Sequence, residues 1–496
     1  MPALPAKPGK LSPASALLLQ GGDDRIRLLD GEAFNKYGCR PYPVADCIDF
    51  SSSTASHVSA STFGALESLQ RRLEEAVSAS SSEQVYAQEL RQLRARFLSL
   101  WDLSTATTEM IFSASGTDAH LIAASLAQTL HEAPLHAIMI QCEESGSGVA
   151  AALCGQAFSS RTATGDVPPA PESAAAAGTS LIHIDLRAAD GTARPGAEVD
   201  ADFERAAEHV LEQGLPALLV AVDVSKTGLA APGMEALARL KNRWGRQLTV
   251  LVDACQFRLD GAALHAYLQL GCMVAVTGSK FFAAPSFCGA LLIPSTLGQE
   301  LRARTMPALL RSYSRSAEWP AHWPGRDELT RVPNMGLLLR WEAALQEMQN
   351  FLQVPANDVR RIVSACAAAV QNRLSSDPHF QALDNSAAAS AAKKPLTIHA
   401  FIPCRPAPDR KMLERSEVER LYRTLQNTVQ ADGRRYLLGQ PVQCGGPGSS
   451  PAWALRLCLS APLIVNAYRG GEAGVSALIE QALACLTAVA ATMDRL

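Results

Sequence analysis

Between residues 215 and 294 the chain alternates short apolar runs with stretches of helical period. Residues 215–222 are apolar and stop at Asp223-Val224-Ser225-Lys226-Thr227-Gly228. Residues 233–244 have a helix's spacing. A second apolar run, 248–252, stops at Asp253, and 261–270 again has helical spacing. A third run, 273–276, stops at Thr277-Gly278-Ser279-Lys280, and a Pro/Gly turn leads into a further apolar run that ends at Pro294. Short continuous runs of this kind read as strands buried on both faces, and the periodic stretches between them as helices. Strand, helix, strand makes a right-handed crossover with parallel strands. Ser225, Asp253 and Lys280 therefore leave the sheet at one edge, where open α/β sheets bind ligands.

The same patterning extends outward. Helices are predicted over 65–76 and 84–100. A strand over 109–112 ends in Ser113-Ala114-Ser115-Gly116-Thr117-Asp118, and a helix follows over 119–128. A Ser/Gly/Thr turn before a helix presents free backbone N–H groups and a positive dipole end, which suit a phosphate; an ordinary capped helix has the same look. Residues 136–141 and 181–184 read as strands, 203–212 as a helix, and 161–180 as a low-complexity surface loop. Residues 301–315 look helical, 319–333 form a Pro- and Trp-rich crossing segment, and 335–352 form a long helix. Alternating strands over 397–402, 436–442 and 453–459, helices over 417–429 and 473–493, and loops over 386–394 and 445–450 complete the chain. The prediction is an N-terminal arm over 1–50 with a short helix, and a large α/β domain over 51–333. That domain has a mainly parallel sheet flanked by helices. A smaller α+β domain covers 334–496.

Composition narrows the picture. The chain has 496 residues, enough for more than one domain, and 48% hydrophobic but only 6% aromatic content, so its core is built mainly from Ala, Leu and Val. A net charge of −3 carries no basic signature for nucleic acid. The 12 cysteines include no C-x-x-C pair, and no secretory leader is evident, so they read as reduced thiols of a cytoplasmic protein. The apolar run 14–19 is too short for a membrane span.

An acid and a lysine at one crevice point to pyridoxal 5'-phosphate (PLP). The lysine forms a Schiff base and the acid pairs with the pyridinium nitrogen. Each residue alone has a plainer reading: Asp253 as a helix cap, Lys280 as a solvated loop residue, with Lys226 its nearest competitor. The joint pattern also carries Gln256 and the Thr-Gly-Ser before the lysine. No G-x-G-x-x-G follows an early strand, which disfavours a dinucleotide-binding dehydrogenase.

Asp253-x-x-Gln256, then Thr277-Gly278-Ser279-Lys280, then a Pro and a Gly before an apolar strand resemble the class V branch of the fold type I PLP enzymes. That branch contains small-substrate aminotransferases, cysteine desulfurases and kynureninase-like lyases. The resemblance implies that Lys280 and Asp253 are catalytic and that Ser115, Gly116, Thr117, Thr277 and Ser279 hold the phosphate. Ser225 and Gln256 would meet the ring hydroxyl. Arg456, inside the apolar alternation of 453–459, would grip the substrate carboxylate with its bidentate fork; the plainer reading is a structural ion pair. Ser53, in the Ser-rich stretch after Phe50, would face the substrate. It further implies a homodimer with a shared site, Thr330 and Arg331 lying near the partner's phosphate. At the position of the family's ring-stacking residue stand Glu144 and Ser145, with His183 or an aromatic residue of the arm as possible substitutes. The expected activity is that of a transferase acting on an α-amino acid. The alternatives are a lyase or replacement enzyme and a non-catalytic relative of the fold.

Overall fold

The computed structural model describes residues 10–169, 180–383, 385, 396–406, 411–444 and 452–496. The loops expected over 386–394 and 445–450 lie outside these residues, as does most of 161–180 from 170 onward.

The large sheet has seven strands. In spatial order they are β2 (Thr108–Ser113), β8 (Gly289–Pro294), β7 (Met273–Thr277), β6 (Leu248–Ala254), β5 (Ala217–Val222), β3 (His136–Ile140) and β4 (Ser180–Ile184). Only β8 runs against its neighbours, β2 and β7; the other pairs are parallel. Strands β5 to β8 are buried along their whole length, as their unbroken Val, Leu, Ile and Ala runs require. The register sets Asp253 opposite Val222 on one side and Ala275 on the other. The ends of β5, β6 and β7 thus form one contiguous edge, as the crossover reading predicts.

A second sheet has five strands in the order β1 (Cys47–Phe50), β11 (Arg435–Cys444), β12 (Ala452–Cys458), β10 (Ile398–Pro403) and β9 (Phe380–Ala382). Its edge strand β1 comes from the far end of the sequence and runs parallel to β11. The Ser-rich stretch after Phe50 is thereby carried to the boundary between the two sheets. Helices Met335–Leu352 and Ala356–Ser376 lead into this half of the molecule, and Gly471–Met493 packs on it with Val475, Leu478, Leu486 and Val489 buried.

Residues 301–315 depart from expectation. A helix does form, but over Ser295–Arg302, directly after β8. Pro307 then interrupts the chain, which continues as a short 3-10 turn over Ala308–Ser312. Proline supplies no N–H and holds the residue before it away from helical conformation. The helix Ala356–Ser376 is an element the sequence pattern left unassigned.

The amino-terminal arm is fastened to the core. Buried Arg340, on the long helix, donates to the carbonyls of Leu18 at 3.1 Å, Gln20 at 2.8 Å and Phe287 at 2.7 Å. One side chain therefore ties the arm to the loop that follows Lys280.

Candidate active site

The floor of the site is the end of β6. The Asp253 carboxylate accepts the Cys255 backbone N–H at 3.0 Å through Oδ1, and its Oδ2 lies 3.5 Å from His120 Nε2. His120 sits one turn into the helix Gly116–Gln128, where its Nδ1 lies 2.7 Å from the Gly116 carbonyl. A carbonyl only accepts, so Nδ1 carries a proton and Nε2 is the nitrogen that meets Asp253. Burial works against the Asp253 charge, but the charge and hydrogen bond of His120, with Lys280 behind them, hold the carboxyl well below the usual carboxylate range. Burial likewise opposes the imidazolium, yet Asp253 lifts His120 above its ordinary value. His120 was not singled out from the sequence. Its one signal is its place four residues after Gly116, on the helix face that turns toward the end of β6.

After Asp253 the chain turns through Gln256 and Phe257, whose φ of 51° is rare for a non-glycine residue. Fully buried Phe257 is pinned by Trp101 (ring centroids 4.9 Å) and Phe282 (5.1 Å). Packing thus over-determines the strained turn that aims Gln256 inward. Gln256 Nε2 donates to the Ser53 carbonyl at 3.1 Å, and its buried Oε1 has no hydrogen-bond partner among the described residues.

Lys280 follows β7. The Gly278 before it cannot be replaced without movement, because a Cβ there would lie 2.3 Å from Ala344 Cβ and 2.9 Å from Cys288 Sγ. The Thr277 hydroxyl donates to the Cys255 carbonyl at 2.7 Å, joining the ends of β6 and β7. The Lys280 amine is pushed below its ordinary value by burial, with Arg456 and Arg258 adding to this against the pull of Cys255 and Asp253. Lys226, the competing lysine, stands at the end of β5. Its Nζ reaches the Cys142 carbonyl at 3.4 Å, and burial, Arg456 and Lys280 bring its amine down to about 8.

At the helix start, Ser115 is the N-cap and accepts the Asp118 N–H at 3.2 Å. Gly116 presses against the chain after β6, where a Cβ would meet Cys255 Sγ at 2.6 Å. A residue from the arm also arrives here: Arg25 lies with Nη1 3.5 Å from the Thr117 hydroxyl and Nη2 3.4 Å from the Ser115 hydroxyl. The arm has no periodicity, so nothing in the sequence placed Arg25 at this helix.

The wall belongs to the small sheet. Arg456, buried on β12, donates through Nη2 to the Thr54 hydroxyl at 2.9 Å and the Gln440 carbonyl at 2.7 Å, and through Nη1 to the Lys226 carbonyl at 3.3 Å. Its buried Nε has no partner, and no carboxylate lies within ion-pairing distance of it among the described residues. Burial lowers its pKa. The structural ion pair considered from the sequence is absent among these residues. Ser53 stands beside it, its hydroxyl accepting from Cys458 Sγ at 3.1 Å and occupying the space a Cβ at Gly439 would need.

Glu144, at the position of the family's ring-stacking residue, is held within the protein. Its carboxylate pairs with Arg187 Nε at 2.8 Å and accepts from the Ser225 hydroxyl at 2.7 Å and the Thr227 hydroxyl at 2.7 Å. Ser225, expected at the ring hydroxyl, thus already gives its proton to Glu144. His183 is exposed on the edge strand β4, and Arg331 lies at the surface 3.9 Å from Asp327.

These residues bring together a carboxylate held below its usual range, an amine of reduced basicity, a donor-rich helix start and a buried guanidinium with no counter-ion among the described residues. Neither a protein-family model nor a curated protein matches the sequence significantly. Solved structures do resemble it. A mutant of C-DES with glycine covalently linked to its PLP cofactor has a TM-score of 0.57 and 19% identity, over 88% of this chain and 96% of that one. The cystine C–S lyase C-DES with its product cysteine persulfide has a TM-score of 0.54 and 18% identity, over 87% and 97%. The glutamate decarboxylase domain of a Vibrio parahaemolyticus enzyme has a TM-score of 0.54 and 15% identity, over 91% and 81%. At these identities the likeness is one of fold: a mainly parallel seven-stranded α/β domain with a smaller α+β partner, the fold that C-DES carries.

Proposed function

We propose that this chain is a PLP-dependent transferase acting on an α-amino acid. The observation that carries the proposal is the pairing, at one sheet edge, of an Asp253 carboxylate held ionised by His120 with a Lys280 amine pushed toward its neutral form. The donor set fits the cofactor. Asp253 suits a protonated pyridine nitrogen, buried Gln256 Oε1 is left without a partner among the described residues, and Ser115, Gly116 and Thr117 begin the helix where a phosphate would be held, with Thr277 against Gly116 and Ser279 next in the chain after Gly278. Bound there, PLP supplies an electron sink for the α-carbon of an amino acid.

The residues of the chain then divide the work. Lys280 would hold the cofactor and would carry the proton at the substrate α-carbon. Asp253 would keep the ring nitrogen protonated. Arg456 would receive the α-carboxylate, with Ser53 beside it. Ser225 acts at one remove, by fixing Glu144 and the loop after β5. Elimination from the side chain would use the same residues and is the second reading. A desulfurase-type protein thiol in the small domain is not favoured, because Cys404 and Cys444 are buried and the Cys444 thiol is pushed up to about 12 by burial. The resemblance and the crossing segment 319–333 support a homodimer with the site at its interface; sedimentation of an active monomer would refute that.

The test is a product screen with single amino acids and the PLP-loaded protein. Keto acid formed only when an acceptor keto acid is present supports the transferase. Ammonia or sulfide released without an acceptor supports the lyase, and no product from any amino acid refutes both.

A further inference from the structure

We propose that Arg25, delivered by the amino-terminal arm, is a ligand of the cofactor's phosphate group, an inference that rests on the PLP reading above. The start of the helix Gly116–Gln128 gathers the first backbone N–H groups and the Thr117 hydroxyl, while the Ser115 hydroxyl already donates to the Asp118 carboxylate. Arg25 adds more. Its Nε and Nη2 donate to the Asp23 carboxylate at 2.9 and 2.6 Å, a fork that fixes the plane of the guanidinium. Five N–H bonds less these two leave three, on Nη1 and Nη2, which face Thr117 and Ser115 at 3.5 and 3.4 Å. Those distances are long for hydrogen bonds, and a cation at a helix N-terminus opposes the helix dipole. The Asp23 and Asp118 carboxylates already offset part of this charge, but the N–H groups left on Nη1 and Nη2 reach only two hydroxyls at long range, which leaves them for an incoming anion.

The placement is built. The guanidinium lies between two rings, 5.3 Å from the Phe287 centroid and 5.7 Å from that of Phe158. Phe287 belongs to the loop after Lys280, and Arg340 fastens the same loop and the arm together. A Cβ at Gly22 would lie 2.8 Å from the Phe287 ring, so the arm runs tight against that loop. Asp23 both orients Arg25 and offsets part of its charge. Asp118, the other carboxyl nearby, is pushed up to about 6 by burial, which reduces its opposition to a phosphate.

The experiment compares two aldehydes on the full chain stripped of cofactor: PLP and pyridoxal, which lacks the phosphate. Binding is followed by the visible absorption band at Lys280. Wild type should prefer PLP, and Arg25→Ala should weaken PLP binding by at least about tenfold while leaving pyridoxal unchanged. Equal weakening of both aldehydes, or of neither, overturns the proposal; equal weakening would show that Arg25 only braces the arm. Arg25→Lys, which keeps the charge and loses the fork, should lose a smaller part of the PLP preference and serves if the alanine variant does not fold. As a readout free of activity, inorganic phosphate should raise the melting temperature of the stripped wild type more than that of either variant; equal protection contradicts the role. A wild type with no band from either aldehyde would sink the PLP reading instead, while the phosphate melt still tests Arg25.

Discussion

Two buried arginines both reach the loop after β5, Arg187 at Thr227 and Arg456 at Lys226, and are treated differently by the fold. Arg187, 1% exposed, is paired with the Glu144 carboxylate and further held by the Thr227 hydroxyl at 2.7 Å and the Gly191 carbonyl at 3.0 Å. Among the described residues, Arg456, 2% exposed, meets only carbonyls and a hydroxyl, and its Nε has no partner. Burying a charge without a counter-charge is costly. The Glu144–Arg187 pair is therefore a finished structural joint, complete without a ligand. Arg456 is left without a counter-charge among the described residues, and the substrate carboxylate proposed above would complete it. Asp253 shows the same division in miniature, since His120 holds it ionised before any ligand arrives.

The comparison can be broken first at Lys280, the lysine that feels the Arg456 charge. Lys280→Ala should abolish covalent cofactor attachment and lower turnover by at least about a thousandfold, because both nucleophile and proton carrier are lost. Retained covalent cofactor in this variant, seen by absorbance and intact mass, would place the attachment elsewhere. The finished joint is next. Glu144→Gln leaves the Arg187 charge buried and unpaired, and should lower stability by about 3–5 kcal/mol in a denaturant titration. A variant as stable as wild type would mean that Arg187 finds solvent.

Arg456 should behave in the opposite way. Arg456→Lys keeps the charge but loses the fork, so KM for the amino acid should rise by about tenfold or more, with little change in melting temperature. A lower melting temperature with unchanged KM would make Arg456 a second structural joint. The smallest effect concerns His120. Its folded pKa is raised above 6.5, so the stability it contributes is complete below that pH and is lost as pH rises through the folded value. His120→Gln should remove this slope from a series of melts at rising pH while leaving the fold intact; an unchanged slope would show that His120 stays neutral.

How far the sequence reached follows from what each residue depends on. Asp253 and Lys280 were legible because each ends an apolar run, and the handedness of a crossover places both ends on one edge. Arg456 was legible as a charge interrupting an alternation. His120 was hidden because a histidine within a helical period reads as one more polar position. The partner of Ser225 could not be read either, since Glu144 comes from another loop of the sheet edge. Strand β1 joins β11 across the whole large domain, with Cys47 opposite Arg435, and only tertiary packing brings them together. Arg25 was lost for the same reason, because an arm without period gives no clue to where it docks. The misplaced helix near residue 301 has a local cause: Pro307 was overridden by the apolar residues on either side of it.

The most direct measurement of the whole account is borohydride reduction of the PLP-loaded protein, followed by digestion and peptide mapping of the pyridoxyl label. The account predicts a single label on Lys280. A label on Lys226 with Lys280 unmodified, or no label at all, would contradict it.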